Sequence, residues 1–149
     1  MQRLVIKTKV KGSPKKIYSR FNKDLLLKLT PPIMDMEVTR FDGNNIDDQI
    51  HIVTNIFGLY QSWQNEIIEF YETENEVYFI DQGILIPDPL KSWRHKHIII
   101  KKDELHSMII DQVFYTTGSK IIDKLLYPII FALMYYRKPI YIDTFTDDD

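Results

Sequence analysis

The chain contains no cysteine. Disulfide frameworks, thiolate nucleophiles and cysteine-ligated zinc are therefore excluded. Glycine is scarce, five residues in 149, and none stands in Gly-x-Gly-x-x-Gly or a P-loop. A phosphate-cradling loop is thus absent, and so is a serine in a Gly-x-Ser-x-Gly elbow. Neither sign of charge dominates: 19 basic and 21 acidic residues leave a net charge of −2. That balance carries no footprint for nucleic acid, and no basic helix marks a membrane surface. The most apolar stretch, "LLYPIIFALMYY" at 125–136, is shorter than the roughly 20 residues a spanning helix needs. It reads as a buried helix, so no stable membrane insertion is expected. The opening "MQRLVIKTKV" alternates apolar and polar residues and lacks the apolar core of a signal peptide. A cytoplasmic location is the expectation.

Apolar side chains make up 44% of the chain and aromatics 13%. This length and composition suit one folded domain over 1–149, with a frayed acidic tail from about 144 to 149. "RLVIKTKV" places Leu4, Ile6 and Val10 on one face of a strand, with lysines among the other positions. Ser13 and Pro14 then form a helix start. A second short helix, "KDLLLKL", is stopped by Pro31-Pro32. Six strand-like segments follow, separated by short turns: "IMDMEVTRF", "QIHIVTNIF", "LYQSWQNEIIEFYE", "EVYFIDQGI", "SWRHKHIII" and "ELHSMIIDQVFYTT". Strands this close in sequence pair as antiparallel hairpins. A final helix starts near Ser119, and Pro128 and Pro139 should kink or divide it. The order predicts an α+β protein, a curved antiparallel sheet closed by one long apolar helix.

In that helix Leu126, Ile130, Leu133 and Arg137 form one stripe, flanked by Ile122, Ile129 and Met134. Lys120, Asp123 and Lys124 mark an outward side over the first turns only, so burial on more than one side is predicted. A gap between helix and sheet would then be a ligand cavity.

"SWRHKHIII" decides which face looks into such a gap. Side chains alternate along a strand, so Trp93, His95, His97 and Ile99 share one face, and Arg94, Lys96 and Ile98 the other. The cations belong in solvent, which turns the tryptophan and both histidines inward. On the next strand Asp111 falls in line with Ile109, Val113 and Tyr115. An inward carboxylate needs a partner, and His95 or His97 is the obvious one. Trp63, Asn65 and Ile67 read inward on an earlier strand, as do Phe79 and Asp81. The expected interior mixes Trp63, Phe79, Trp93 and Tyr115 with Asn65, Asp81, His95, His97 and Asp111. Apolar walls with a few convergent polar groups describe a small-molecule pocket.

Three chemistries compete for these residues. His-x-His with Asp111 could ligate a metal, but two histidines at alternate strand positions are common without one, and neither metal nor cofactor is expected. A histidine oriented by a carboxylate is a competent general base. The candidates are His97 or His95 with Asp111, for cyclisation, dehydration or hydrolysis of a carbonyl compound. The third possibility is a satisfied polar cluster inside a binding cavity.

Taken in order, "FGLYQSWQNEIIEF", "VYFIDQG", "SWRHKHIII", "IIDQVFY" and "MYYRKPI" resemble the ligand-binding SRPBCC group of the START/Bet v 1-like superfamily, its polyketide cyclase/dehydrase-like members above all. The most specific piece is Trp-x-His-x-His at Trp93, His95 and His97. Asp111, Val113 and Tyr115 follow, then Tyr136-Arg137. The chain departs from the group at Gly83, where a polar residue is frequent, and at Pro139, which interrupts the last helix. The resemblance implies a helix-grip fold, a seven-stranded antiparallel sheet wrapped around the C-terminal helix. It also implies a hydrophobic cavity for lipid-, polyketide- or isoprenoid-like molecules; only some branches of the superfamily are enzymes. The expectation is a monomeric or homodimeric binding protein, with a cyclase/dehydratase-type enzyme as the alternative.

Overall fold

The computed structural model of the chain describes residues 1–146. Its elements are β1 (Gln2–Lys11), α1 (Pro14–Tyr18), α2 (Lys23–Lys28), β2 (Asp35–Phe41), β3 (Gln49–Ile56), β4 (Leu59–Glu72), β5 (Glu76–Leu85), β6 (Ser92–Lys101), β7 (His106–Thr116), α3 (Lys120–Tyr135) and α4 (Arg137–Thr144). The seven strands form one antiparallel sheet in the order β1-β7-β6-β5-β4-β3-β2. Only β1 leaves sequence order, crossing over α1 and α2 to pair with β7.

Two β-bulges lie between β4 and β5. Ile84 is the extra residue opposite Gln64 and Asn65, and Ile68 is the extra residue opposite Ile80 and Asp81. Such insertions bend a sheet and re-aim its side chains. Ile67 is fully buried and Ile68 turns out, after which Phe70 reaches inward to stack near Tyr18, 5.4 Å between rings.

Local chemistry sets the helix ends. Ser13, Asn22 and Ser119 each accept a hydrogen bond from a backbone N–H of the turn they open, at Lys16, Leu25 and Ile122. The last helix is divided at Tyr136. Pro139 has no N–H for the Tyr135 carbonyl and its ring collides with that carbonyl, so the ladder restarts at Arg137. Pro128 is accommodated inside α3.

Two apolar clusters hold the layers together. The first half of α3 closes directly on the sheet: Ile130 and Met134 pack with Leu4, Ile6, Trp93, Val113 and Tyr115. The other cluster joins α1 and α2 to α4 through Ile17, Leu25, Leu29, Tyr141 and Phe145. Phe21 stacks between Tyr141 and Phe145 at 6.0 and 6.4 Å.

Three expectations are corrected. The outer face of α3 is exposed rather than buried on a second side: Ile121, Leu125 and Ile129 stand in solvent. Asp123 does not face outward. It is buried and accepts hydrogen bonds from Thr116 Oγ1 and from the N–H and hydroxyl of Thr117. Thr144 ends α4 and Phe145 is buried, so the tail does not begin at 144; 147–149 lie outside the described residues.

Candidate functional site

The second half of the helical layer does not meet the sheet. A cavity of about 210 Å³ separates them. From the sheet, β5 contributes Phe79 and Asp81, β6 contributes Trp93, His95 and His97, and β4 contributes Trp63 and Asn65. The helical side supplies Leu133 and Met134 of α3, with Arg137 and Tyr141 of α4. Nine of the predicted residues therefore come together around one space: Trp63, Asn65, Phe79, Asp81, Trp93, His95, His97, Leu133 and Arg137.

Four others do not reach it. Leu126, Ile130 and Tyr115 sit where α3 closes on the sheet, because a stripe runs the length of a helix while the gap opens beneath only part of it. Asp111 is fully buried behind the wall. The sequence reading missed the far wall, formed by Leu25, Leu26 and Leu29 around α2 and by Ile50, Ile52 and Thr54 of β3. A signal existed: Leu25 and Leu29 are one helical turn apart, and Ile50, Ile52 and Thr54 alternate.

One end of the cavity is polar. In the sheet register His95 lies opposite Asp81, and His97 lies opposite Asp111. The hydrogen bonds run diagonally instead. His95 Nε2 meets Asp111 Oδ1 at 2.8 Å, and His97 Nε2 meets Asp81 Oδ2 at 2.6 Å. Diagonal neighbours on one sheet face are within reach of long side chains. Crossing over lets the two imidazoles stack at 3.7 Å, with Phe79 on the outer side of His97 at 4.3 Å. The expected His95–Asp111 pair is present, whereas the partner of His97 is Asp81. Asp81 also accepts from Asn65 Nδ2 at 2.9 Å. Arg137 Nη1 stands 3.9 Å from Asp111 Oδ1 and 3.5 Å from the Tyr141 hydroxyl.

Burial governs the electrostatics. His95 is held down at about 4, by desolvation first and by neighbouring His97 second, against the pull of Asp111. Burial alone would raise Asp81 and Asp111, but the hydrogen bonds from His97 and His95 outweigh it and hold both carboxyls below their ordinary value. The Arg137 guanidinium is stabilised by Tyr141 and Asp111 beyond what desolvation removes. Burial raises the Tyr141 phenol. At neutral pH the corner thus holds two carboxylates, a guanidinium and a neutral His95.

Two chemistries follow from this geometry. Asp81, His95 and His97 bring ligand atoms within 4.8 Å of one another, close enough for a metal. The stack sets the rings 25° from parallel, so their in-plane lone pairs point side by side, and coordination would require the rings to turn. A general base works best with a pKa near the operating pH; at about 4, His95 is too weak a base for that role. His97, bonded to Asp81 and lining the cavity, has the better geometry.

The architecture has counterparts of known structure. Protein Ms6760 of Mycobacterium smegmatis superimposes with a TM-score of 0.71 over 99% of this chain and 92% of its own, at 12% identity. The ginseng major latex-like protein 151 of Panax ginseng gives 0.60 over 94% and 97%, at 14% identity. XoxI of Bacillus cereus gives 0.60 over 95% and 96%, at 12% identity. No protein-family model matches the sequence, and no curated protein does. The chain has the helix-grip fold of the START/Bet v 1-like superfamily, a ligand-binding architecture. Among the described residues no helix is long and apolar enough to cross a membrane.

Proposed function

We propose that this protein binds a hydrophobic or amphipathic small molecule, lipid-, polyketide- or isoprenoid-like, between the sheet and the C-terminal helices. The observation that carries the reading is the cavity itself: about 210 Å³, walled by leucine, isoleucine and aromatic side chains and polar at one end only. Such a space favours an apolar body with one polar group turned toward Asp81, His95, His97 and Arg137. The reading takes the protein as cytoplasmic, a monomer or homodimer, with no cofactor and no nucleic-acid partner. Native mass spectrometry of the protein purified from cells tests it. An adduct released on denaturation, and lost when Ile52→Phe and Leu133→Phe fill the cavity, supports binding; an adduct that survives both substitutions argues against this site.

The 2.6 Å His97–Asp81 hydrogen bond at the cavity wall favours a second reading, a cyclase/dehydratase-type enzyme with His97 as general base and Asp81 orienting it. His97→Asn should then abolish turnover of a bound carbonyl substrate while its affinity changes by less than about tenfold, since the base acts mainly on the transition state. Loss of stability alone would leave the binding reading in place.

A further inference from the structure

The outer face of α3 is apolar where a surface helix ordinarily carries charge. Ile121, Leu125 and Ile129, spaced four apart, are 73%, 68% and 58% exposed. Ile122 and Tyr135 extend the face on either side, 40% and 52% exposed. The exposed charged side chains of the helix are Lys120 and Lys124, both at its start; Asp123 is turned inward onto Thr116 and Thr117.

Charge around this face is one-sided. The edge strand β1, against which α3 packs, exposes Arg3, Lys7, Lys9 and Lys11. Lys138, just beyond the helix, reaches the Lys7 carbonyl. Exposed acidic groups gather at the β4–β5 hairpin, where Glu69, Glu72 and Glu74 lie. The register places that hairpin at the opposite end of the sheet from Ser92 and Thr116, beside which α3 starts. A chain of net charge −2 thus carries a basic rim around an uncovered apolar helix.

We infer that the outer face of α3 docks on an anionic lipid bilayer, lying in the headgroup region with its lysines against lipid phosphates. An apolar stripe bordered by lysine is the pattern of an interfacial helix. The helix is too short to span, so docking is peripheral and reversible. A second copy of the chain fits the face less well: at about 24 Å by about 10 Å one helix face presents roughly 240 Å², against about 800 Å² per partner in a stable interface. Docking is independent of what the cavity holds.

Flotation of the full chain with phosphatidylcholine vesicles, with and without 30% phosphatidylglycerol, tests the inference. Binding is expected to the anionic vesicles only, and to weaken at least tenfold between 50 and 500 mM salt as the lysines are screened. Leu125→Glu with Ile129→Glu should abolish binding, and Lys120→Glu with Lys124→Glu should remove its preference for anionic lipid. These side chains are exposed, so an unchanged near-UV circular dichroism spectrum is expected of both variants. Because the chain has no cysteine, Ile129→Cys carrying a polarity-sensitive fluorophore adds a second readout. Its emission should shift to the blue on anionic vesicles, while the same probe at Glu104→Cys does not respond. Equal binding to neutral and anionic vesicles overturns the inference, as does no binding to either. So does a micromolar dimer that Leu125→Glu with Ile129→Glu dissociates.

Discussion

Asp81 and Asp111 each hold one histidine in place, and each bond crosses the line of the other. Asp111 is fully buried between His95 and Arg137, so its removal leaves a guanidinium and an imidazole without their acceptor. Asp111→Ala is expected to destabilise the fold by about 3–5 kcal/mol, the usual range for breaking a buried pair, as read by urea unfolding. His95 gives the molecule a pH dependence whose direction is fixed. Its folded pKa of about 4 lies below the unfolded value of about 6.5, so between those values the unfolded chain binds the extra proton. Stability is fully present above pH 6.5 and falls as the pH drops toward 4, by about 3 kcal/mol at 1.36 kcal/mol per unit. The lowered Asp81 and Asp111 carboxyls add a further loss below about pH 3.8. Unfolding curves at pH 7 and pH 4.5 should show the first loss, and His95→Gln should flatten it. Alternation placed Trp93, His95, His97 and Asp111 inward correctly, because strand periodicity fixes which face a side chain takes. Which histidine bonds which carboxylate was not legible, since a diagonal and a direct partner differ only in side-chain rotamer.

At the scale of elements, turns and bulges do what regular strands cannot. Gly83 lies on β5 beside the Ile84 bulge, and a Cβ built there would come within 2.4 Å of Ile86 Cγ2 and 3.4 Å of Trp93 Cβ. The strand end and the loop after it therefore approach closely only because this residue lacks a side chain. Gly83→Ala is expected to cost about 1–3 kcal/mol, the range for overpacking, and to disturb Trp93, whose fluorescence should move with it. Strand and helix positions were readable from alternation, capping residues and proline, and β4 follows the "LYQSWQNEIIEFYE" segment throughout. The burial of the last helix was not. An apolar helix signals that its surface will be covered, and the pattern alone cannot tell the sheet from a partner outside the chain. Pro139 was readable as an interruption, and it matters for the site: the restart at Arg137 begins the short helix that carries both Arg137 and Tyr141 to the cavity.

For the whole molecule, one long apolar helix does two jobs along its length. Its first half completes the core with Leu4, Ile6 and Tyr115, and its second half roofs a cavity whose far wall is α2 and β3. That far wall went unread because "QIHIVTNI" carries apolar side chains at both alternations, so either face could have been the inner one. Trp63 and Trp93 are the two tryptophans of the chain, 5.5 Å apart at the cavity wall, and any bound molecule must alter their emission. The most direct measurement is therefore a titration with 1-aminoanthracene, an apolar aromatic amine, followed by quenching of tryptophan fluorescence. Saturable one-to-one quenching is expected, weakened at least tenfold by Ile52→Phe with Leu133→Phe. Quenching that does not saturate, or that the filled-cavity variant retains in full, would contradict a ligand cavity at this place.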